Sequence, residues 1–169
     1  VDLRNILIKL SPDVSLPSEL LPIQQVKQLY QQNCSACHGA MGQGDGTLAA
    51  SLDPTPTNFT DKDRAMNRSV IGLYDVITNG IEGTAMVALS HLDEKQRWSL
   101  AFYAGSLAFQ DHTGMATVPT AMTIQDFVSN SPQTLLNKYP TLDDDTVAQL
   151  RSHPEPLFAS NDPLAMAKQ

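Results

Sequence analysis

The sequence predicts an all-α protein, and three observations carry that prediction. Apolar residues recur at helical spacing, the repeats open on Ser, Thr or Asp and close on Gly or Pro, and strand signals are nearly missing. No internal repeat divides the chain. With 169 residues and 41% hydrophobic content, it can bury one moderate core.

The elements follow in order. Residues 2–10, DLRNILIKL, place Leu3, Ile6, Leu7 and Leu10 on one helical face before Ser11 and Pro12 end the pattern. Beyond the proline-punctuated stretch to Pro22, Val26, Leu29 and Tyr30 mark a face that runs directly into Cys34 and His38, with Gly39 as a natural stop. Residues 39–60 carry Gly39, Gly42, Gly44, Gly46, Pro54 and Pro56, which resist helix and sheet alike. A loop of this length in a compact domain binds something or wraps around it.

From Ser69, the run SVIGLYDVITNG sets Val70, Leu73 and Ile77 at helical spacing and closes on Gly80. A second loop carries Met86 among small residues. Asp93 with Gln96 forms a capping-box start, and Trp98, Ala101, Phe102 and Leu107 extend an apolar surface to about Phe109. A small, polar stretch from Gln110 to Ala121 marks a boundary. Short capped helices are expected at 123–130, from Ser131 and Pro132 to Lys138, and at 143–152. The tail from His153 is proline-broken and is expected to wrap or fray. The organisation is therefore an N-terminal helix and linker (1–22), a main helical domain (23–110) and a helical spacer or C-terminal extension (111–169).

The formal net charge is −7 and lysines and arginines form no cluster, so a nucleic-acid footprint is absent and a cationic partner is the better electrostatic match. The apolar runs fall far short of the ~20 residues of a membrane span, and no basic-then-apolar signal sequence opens the chain. A start at Val1 reads as a processed or trimmed chain whose targeting or anchoring pieces lie outside it.

The stretch QQNCSACHGAMGQGDG, residues 31–46, holds the only two cysteines. Three chemistries compete for Cys34, Cys37 and His38. A redox dithiol belongs at the start of a helix after a strand, and here a helical pattern precedes it. A zinc site needs two further ligands, and His91, His112 and His153 lack the usual pairing. A c-type haem attachment site uses all three residues, since the two thiols add to the porphyrin's vinyl groups and His38 is the proximal iron ligand.

Iron held by one histidine takes a thioether in electron-transfer haems. Of six methionines, Met41 lies too near the motif to reach the far face, Met66 lies on a short helix, and Met115, Met122 and Met166 fall outside the core domain. Met86, in its small-residue loop, is the expected distal ligand; the competing role is a core gap-filler. A carbonyl of Pro54 or Pro56 is expected to fix the His38 ring, as such ligands usually require, unless those prolines only stiffen a turn. Trp98 and Tyr103 either line the haem edge or fill a helix interface.

CSACHGAMGQGDG, PTPTNFT, ITNGIEGTAMVAL and EKQRWSLAFYAGSLA resemble, in order and spacing, the small monohaem cytochrome c fold. DPTPTNFTDKDRAMNRSVIGLYDVITNGIEGTAM followed by RWSLAFYAG is similar to the haem domain that many bacteria fuse to the N-terminal side of a high-affinity iron permease. The likeness spans about residues 20–110, and 123–156 resemble the spacer before the permease. Val87 departs from the proline that the family more often has after the ligand methionine. The resemblance implies one covalent haem c, a periplasmic domain tethered to the inner membrane through its permease, and Fe(II) oxidation coupled to iron uptake. Electrons then leave to a redox partner protein.

Asp143, Asp144 and Asp145 are expected to favour a helix's first turn; a landing site for a cation such as Fe(II) is the rarer role. No second acid/base pair accompanies the motif, so an electron-transfer domain is expected rather than an enzyme. The alternatives are a free-standing periplasmic shuttle, an oxidase cytochrome subunit, or a haem sensor or peroxidase with an open sixth position.

Overall fold

The computed structural model describes residues 15–160, and every regular element among them is helical. The helix expected at 2–10 and the end of the tail lie outside the described residues. Helix α1 spans Ile23–Asn33, α2 Ser35–His38, α3 Lys62–Met66, α4 Val70–Asn79 and α5 Glu94–Ser106. The remainder, α6 Ile124–Ser129, α7 Pro132–Lys138, α8 Asp144–Ser152 and α9 Glu155–Ser160, lies beyond the polar boundary. Single 3-10 turns occupy Ala49–Ser51 and Leu107–Phe109.

Caps place most of these starts. Ser69 Oγ accepts the Gly72 amide ahead of α4, Asp93 and Gln96 form the expected capping box ahead of α5, and Ser131 and Asp143 accept from the Thr134 and Thr146 amides. Pro132 occupies the first turn of α7, where its missing N–H is no loss.

Two elements differ from expectation. The first helix does not run through the cysteine motif: it ends at Asn33, and Cys34 stands between α1 and α2 with φ −124°. The Asn33 side-chain amide donates to the Leu29 carbonyl at 2.8 Å, satisfying an acceptor of the last turn from the side rather than by continuing the helix. The tail re-forms a helix, α9, because Pro156 falls in its first turn and Leu157 is completely buried.

Helix α5 is the axis of the molecule. From Trp98 to Ser106 all but Tyr103 are buried, so it is covered nearly all round. It packs against α1, α4 and α8. Helix α4 presents Val70, Leu73 and Ile77 to it, and α1 presents Val26 and Tyr30. The core does not stop at residue 110: Phe127, Val128, Leu135, Val147, Leu150 and Leu157 are fully buried in the same cluster as Val26 and Trp98. The cysteine-motif region and the C-terminal helices therefore share one interior.

Candidate functional site

A cavity of about 450 Å³ opens between the α1–α2 junction, the two long loops and the inner faces of α4 and α5. Cys34, Cys37 and His38 line it from one side. Met86 lines it from the second loop, and Leu73, Ile77 and Leu100 contribute apolar wall. Residues nearly fifty positions apart in sequence thus meet at one space.

The glycine-rich loop folds back over the end of the motif. The amides of Gly44, Gly46 and Leu48 donate to the carbonyls of His38, Cys37 and Ala36 at 2.7, 3.1 and 2.9 Å. These are the carbonyls a helix end leaves without partners. Gly44 is required: its φ is +77°, and a Cβ there would lie 2.6 Å from the Pro56 carbonyl oxygen. Tyr30, from α1, adds a bond of 2.9 Å from its hydroxyl to the Gly39 carbonyl.

The His38 ring is fixed from behind. Its Nδ1 donates to the Thr57 carbonyl at 3.0 Å, and its face stacks on Phe59 with centroids 4.5 Å apart. The carbonyl is therefore that of Thr57, one residue beyond the rigid Pro54–Pro56 segment, and not that of either proline. Both prolines instead wall the cavity. Burial lowers the His38 pKa; the Thr57 bond acts in the opposite sense, and the charge of Arg68 lowers it further. The lowered pKa favours the neutral imidazole, and with Nδ1–H engaged by Thr57 it is Nε2 that can ligate a metal.

Burial and the neighbouring Cys37 push the Cys34 thiol up to about 12. A reactive dithiol needs the opposite shift. The zinc reading fares no better, because no group of three or more His, Cys, Asp or Glu side chains among the described residues could hold a metal ion. His91 bonds to Asn33 at 2.8 Å, while His112 lies 3.6 Å from carboxylate oxygens of Asp111 and Asp145.

The Met86 loop is tied down by its backbone. The Ile81 amide donates to the Met86 carbonyl at 2.8 Å, the Leu89 amide to Ile77 at 3.0 Å, and the Met86 amide to Thr84 Oγ1 at 3.2 Å. Val87, which stands where proline is more usual, is exposed. The loop draws its stiffness from these bonds.

Trp98 is corrected as a site residue. It is completely buried away from the cavity, stacked on Tyr74 at 4.0 Å with 12° between the planes, and its indole N–H donates to the Ser15 carbonyl at 3.1 Å. Its bulk fills the gap between α4, α5 and the entering chain. Tyr103 packs edge-on against Tyr30 at 5.2 Å and is likewise part of a helix interface. Asp143 caps α8.

The cytochrome c family model matches residues 23–108, which contain every part of this cavity. The chain belongs to the cytochrome c family. The family implies a covalent haem c and haem-based electron transfer. No curated protein matches the cytochrome chain. Among solved structures, a chain of the Kuenenia stuttgartiensis reducing HAO-like protein complex is similar at 26% identity, with a TM-score of 0.48, over 66% of this chain and 54% of that one. The cytochrome thus spans about half the length of that solved chain.

The residues present fit the group the family carries: two thiols, a neutral imidazole, a thioether and apolar walls share one space. A further observation agrees. Arg68 lines the cavity, and its Nη1 is buried with no hydrogen-bond partner among the described residues. Such an orphaned donor calls for an anion, and a haem carries two carboxylates. Neither Thr57 nor Arg68 stands out in the sequence. Thr57 acts through a backbone carbonyl that any residue would supply, and Arg68 sits in a polar stretch where arginines are normally solvated.

Proposed function

We propose that this chain is a monohaem electron-transfer domain in which Cys34 and Cys37 bond the porphyrin, with His38 Nε2 and Met86 Sδ as iron ligands. One observation carries the proposal: all four side chains line the same cavity in a chain of the cytochrome c family. The haem supplies a one-electron couple with a thioether favouring the reduced metal. The polypeptide itself holds the two ligands still. His38 is oriented by Thr57 and Phe59, Met86 by the backbone bonds of its loop, and Leu73, Ile77 and Leu100 exclude water.

The same proposal extends to the role implied by the resemblance to iron-permease fusions. The domain accepts electrons from Fe(II) as iron enters a fused membrane permease and passes them to a redox partner protein. It works in the periplasm, where c-type haem is attached, tethered to the inner membrane. The net charge of −7 supports a cationic substrate or a basic partner.

Two measurements test it. Protein made in a host competent for cytochrome maturation should show by mass spectrometry one haem bound covalently to the peptide containing Cys34 and Cys37; bare chain sinks the proposal. Stopped-flow mixing of the oxidised protein with Fe(II) should give reduction whose rate rises with iron concentration. Inertness toward Fe(II) with fast reduction by another donor would assign the domain to a general periplasmic shuttle instead.

A further inference from the structure

Helix α8 lies outside the family match, yet it sends Arg151 into the molecule toward the haem cavity. The Arg151 side chain is among the largest fully buried groups. Its Nη1 donates to the Gly105 carbonyl at 3.3 Å and its Nη2 to the Arg68 carbonyl. Room for it exists because residue 105 is glycine: a Cβ there would lie 2.8 Å from Arg151 Nη1. Gly105 is the penultimate residue of α5, and its lack of a side chain leaves the last turn open to the guanidinium. Its presence fits the need to admit the guanidinium.

Arg68 is the residue so held. A void of about 20 Å³ is lined by Arg68 together with Arg151, Asp61, Arg64 and Gly105. Arg68 also lines the haem cavity. Among the described residues no carboxylate forms an ion pair with Arg68; Asp61 caps α3 through the Arg64 amide at 3.1 Å, and burial with the nearby Arg64 charge lowers the Arg68 pKa.

We infer that Arg151 is a positioning residue that fixes Arg68 against the haem cavity, and that Arg68 raises the reduction potential of the haem. The inference rests on the proposed haem site. A fixed cation at the wall of a low-dielectric cavity would offset the negative charge of a haem carboxylate there, and so favours the reduced state over the more positive oxidised one. The C-terminal extension thereby becomes part of the redox apparatus through one side chain, which acts at the backbone of another.

The test is a potentiometric titration of the holoprotein followed by absorbance. Arg68→Gln should reduce the equilibrium constant for reduction about tenfold, ~59 mV for one electron, and Arg68→Lys should recover most of that loss. Arg151→Met should lower the potential in the same direction in wild-type background, and add nothing in the Arg68→Gln background. Gly105→Ala, which crowds Arg151 without removing any charge, should also lower it, and it serves if Arg151→Met does not fold. An unshifted Arg68→Gln, an unshifted Gly105→Ala, or an Arg151→Met shift of equal size in both backgrounds overturns the inference. Lack of covalent haem in the wild type instead overturns the haem site, and spectra recorded on the same samples separate the two failures.

Discussion

The Nδ1 of His38 lies 3.0 Å from the carbonyl oxygen of Thr57, and Gly44 sets how close those two can be. A Cβ at 44 would meet the Pro56 carbonyl oxygen at 2.6 Å and the Asn58 amide at 3.4 Å, so any side chain there must push residues 56–58 off the histidine or move the motif. The φ of +77° adds its own strain for a residue with a Cβ. Gly44→Ala is therefore expected to destabilise the protein by about 1–3 kcal/mol. Thermal unfolding at the wild-type temperature would show that the loop carries no such constraint.

Met86→Ala removes a half-buried side chain from a loop whose backbone bonds do not involve that side chain. The fold should survive and the cavity should keep its histidine. Absorption features of low-spin His/Met coordination should vanish, and cyanide or CO should bind rapidly where the wild type binds slowly. An unchanged spectrum would transfer the ligand role to another residue.

Trp98→Ala separates packing from cofactor contact. The indole is fully buried, stacked on Tyr74 and bonded to Ser15, none of which lines the cavity. The expected cost is about 3–5 kcal/mol of stability, as for other buried aromatics truncated to alanine. The haem absorbance of the folded fraction should be unaltered. A shifted spectrum with little loss of stability would restore Trp98 to the haem edge.

Asp126 links α6 to the end of α7. Its carboxylate accepts from Lys138 Nζ at 2.8 Å and from the Tyr139 hydroxyl at 2.6 Å, and it closes a capping box with Thr123. Burial acts to raise its pKa, but the bonds from Lys138, Tyr139 and Thr123 outweigh this and hold it below the ordinary carboxylate value. A depressed folded pKa contributes stability that is complete above the unfolded value, near 3.9, and that is lost as pH falls through the folded one. Asp126→Asn should thus lower stability at neutral pH and flatten the loss of stability below about pH 4. Parallel acid limbs for variant and wild type would count against the linkage.

Much of this arrangement was legible in the chain because its signals are local. Caps at Ser69, Asp93, Ser131 and Asp143 announce helix starts with side chains three residues from the amides they serve. Cys34, Cys37 and His38 stand together, and Met86 is singled out by its loop. What stayed hidden is long-range. The Thr57 carbonyl carries no side-chain identity, so the rigid neighbours Pro54 and Pro56 drew attention instead. Trp98 has the same pattern whether it faces a haem or a helix. The bond from Arg151 to Arg68 spans 83 positions and ends on a backbone atom, which leaves nothing in the sequence to mark it. Pro154 and Pro156 argue for a broken tail until the burial of Leu157 is seen.

The shared interior makes a final prediction about residues 111–160. Val147 and Leu150 of α8 are buried in the cluster that holds Trp98 and Leu100, and Ser152 Oγ bonds back to the Phe109 carbonyl. Phe127 and Val128 of α6 complete the cover over α4. Ending the chain at Gln110 strips these side chains from the helices they cover and exposes apolar surface worth roughly 25 cal/mol per Å². It also removes both bonds that Arg151 makes. A chain of residues 15–110 is therefore expected to melt at a lower temperature than one of residues 15–160, to bind a dye for exposed apolar surface, and to aggregate more readily. Because the cysteine motif and Met86 remain, it should still take up haem in a competent host. Equal melting temperatures for the two chains would make the C-terminal helices an independent appendage, against the contacts of Leu150 and Phe127.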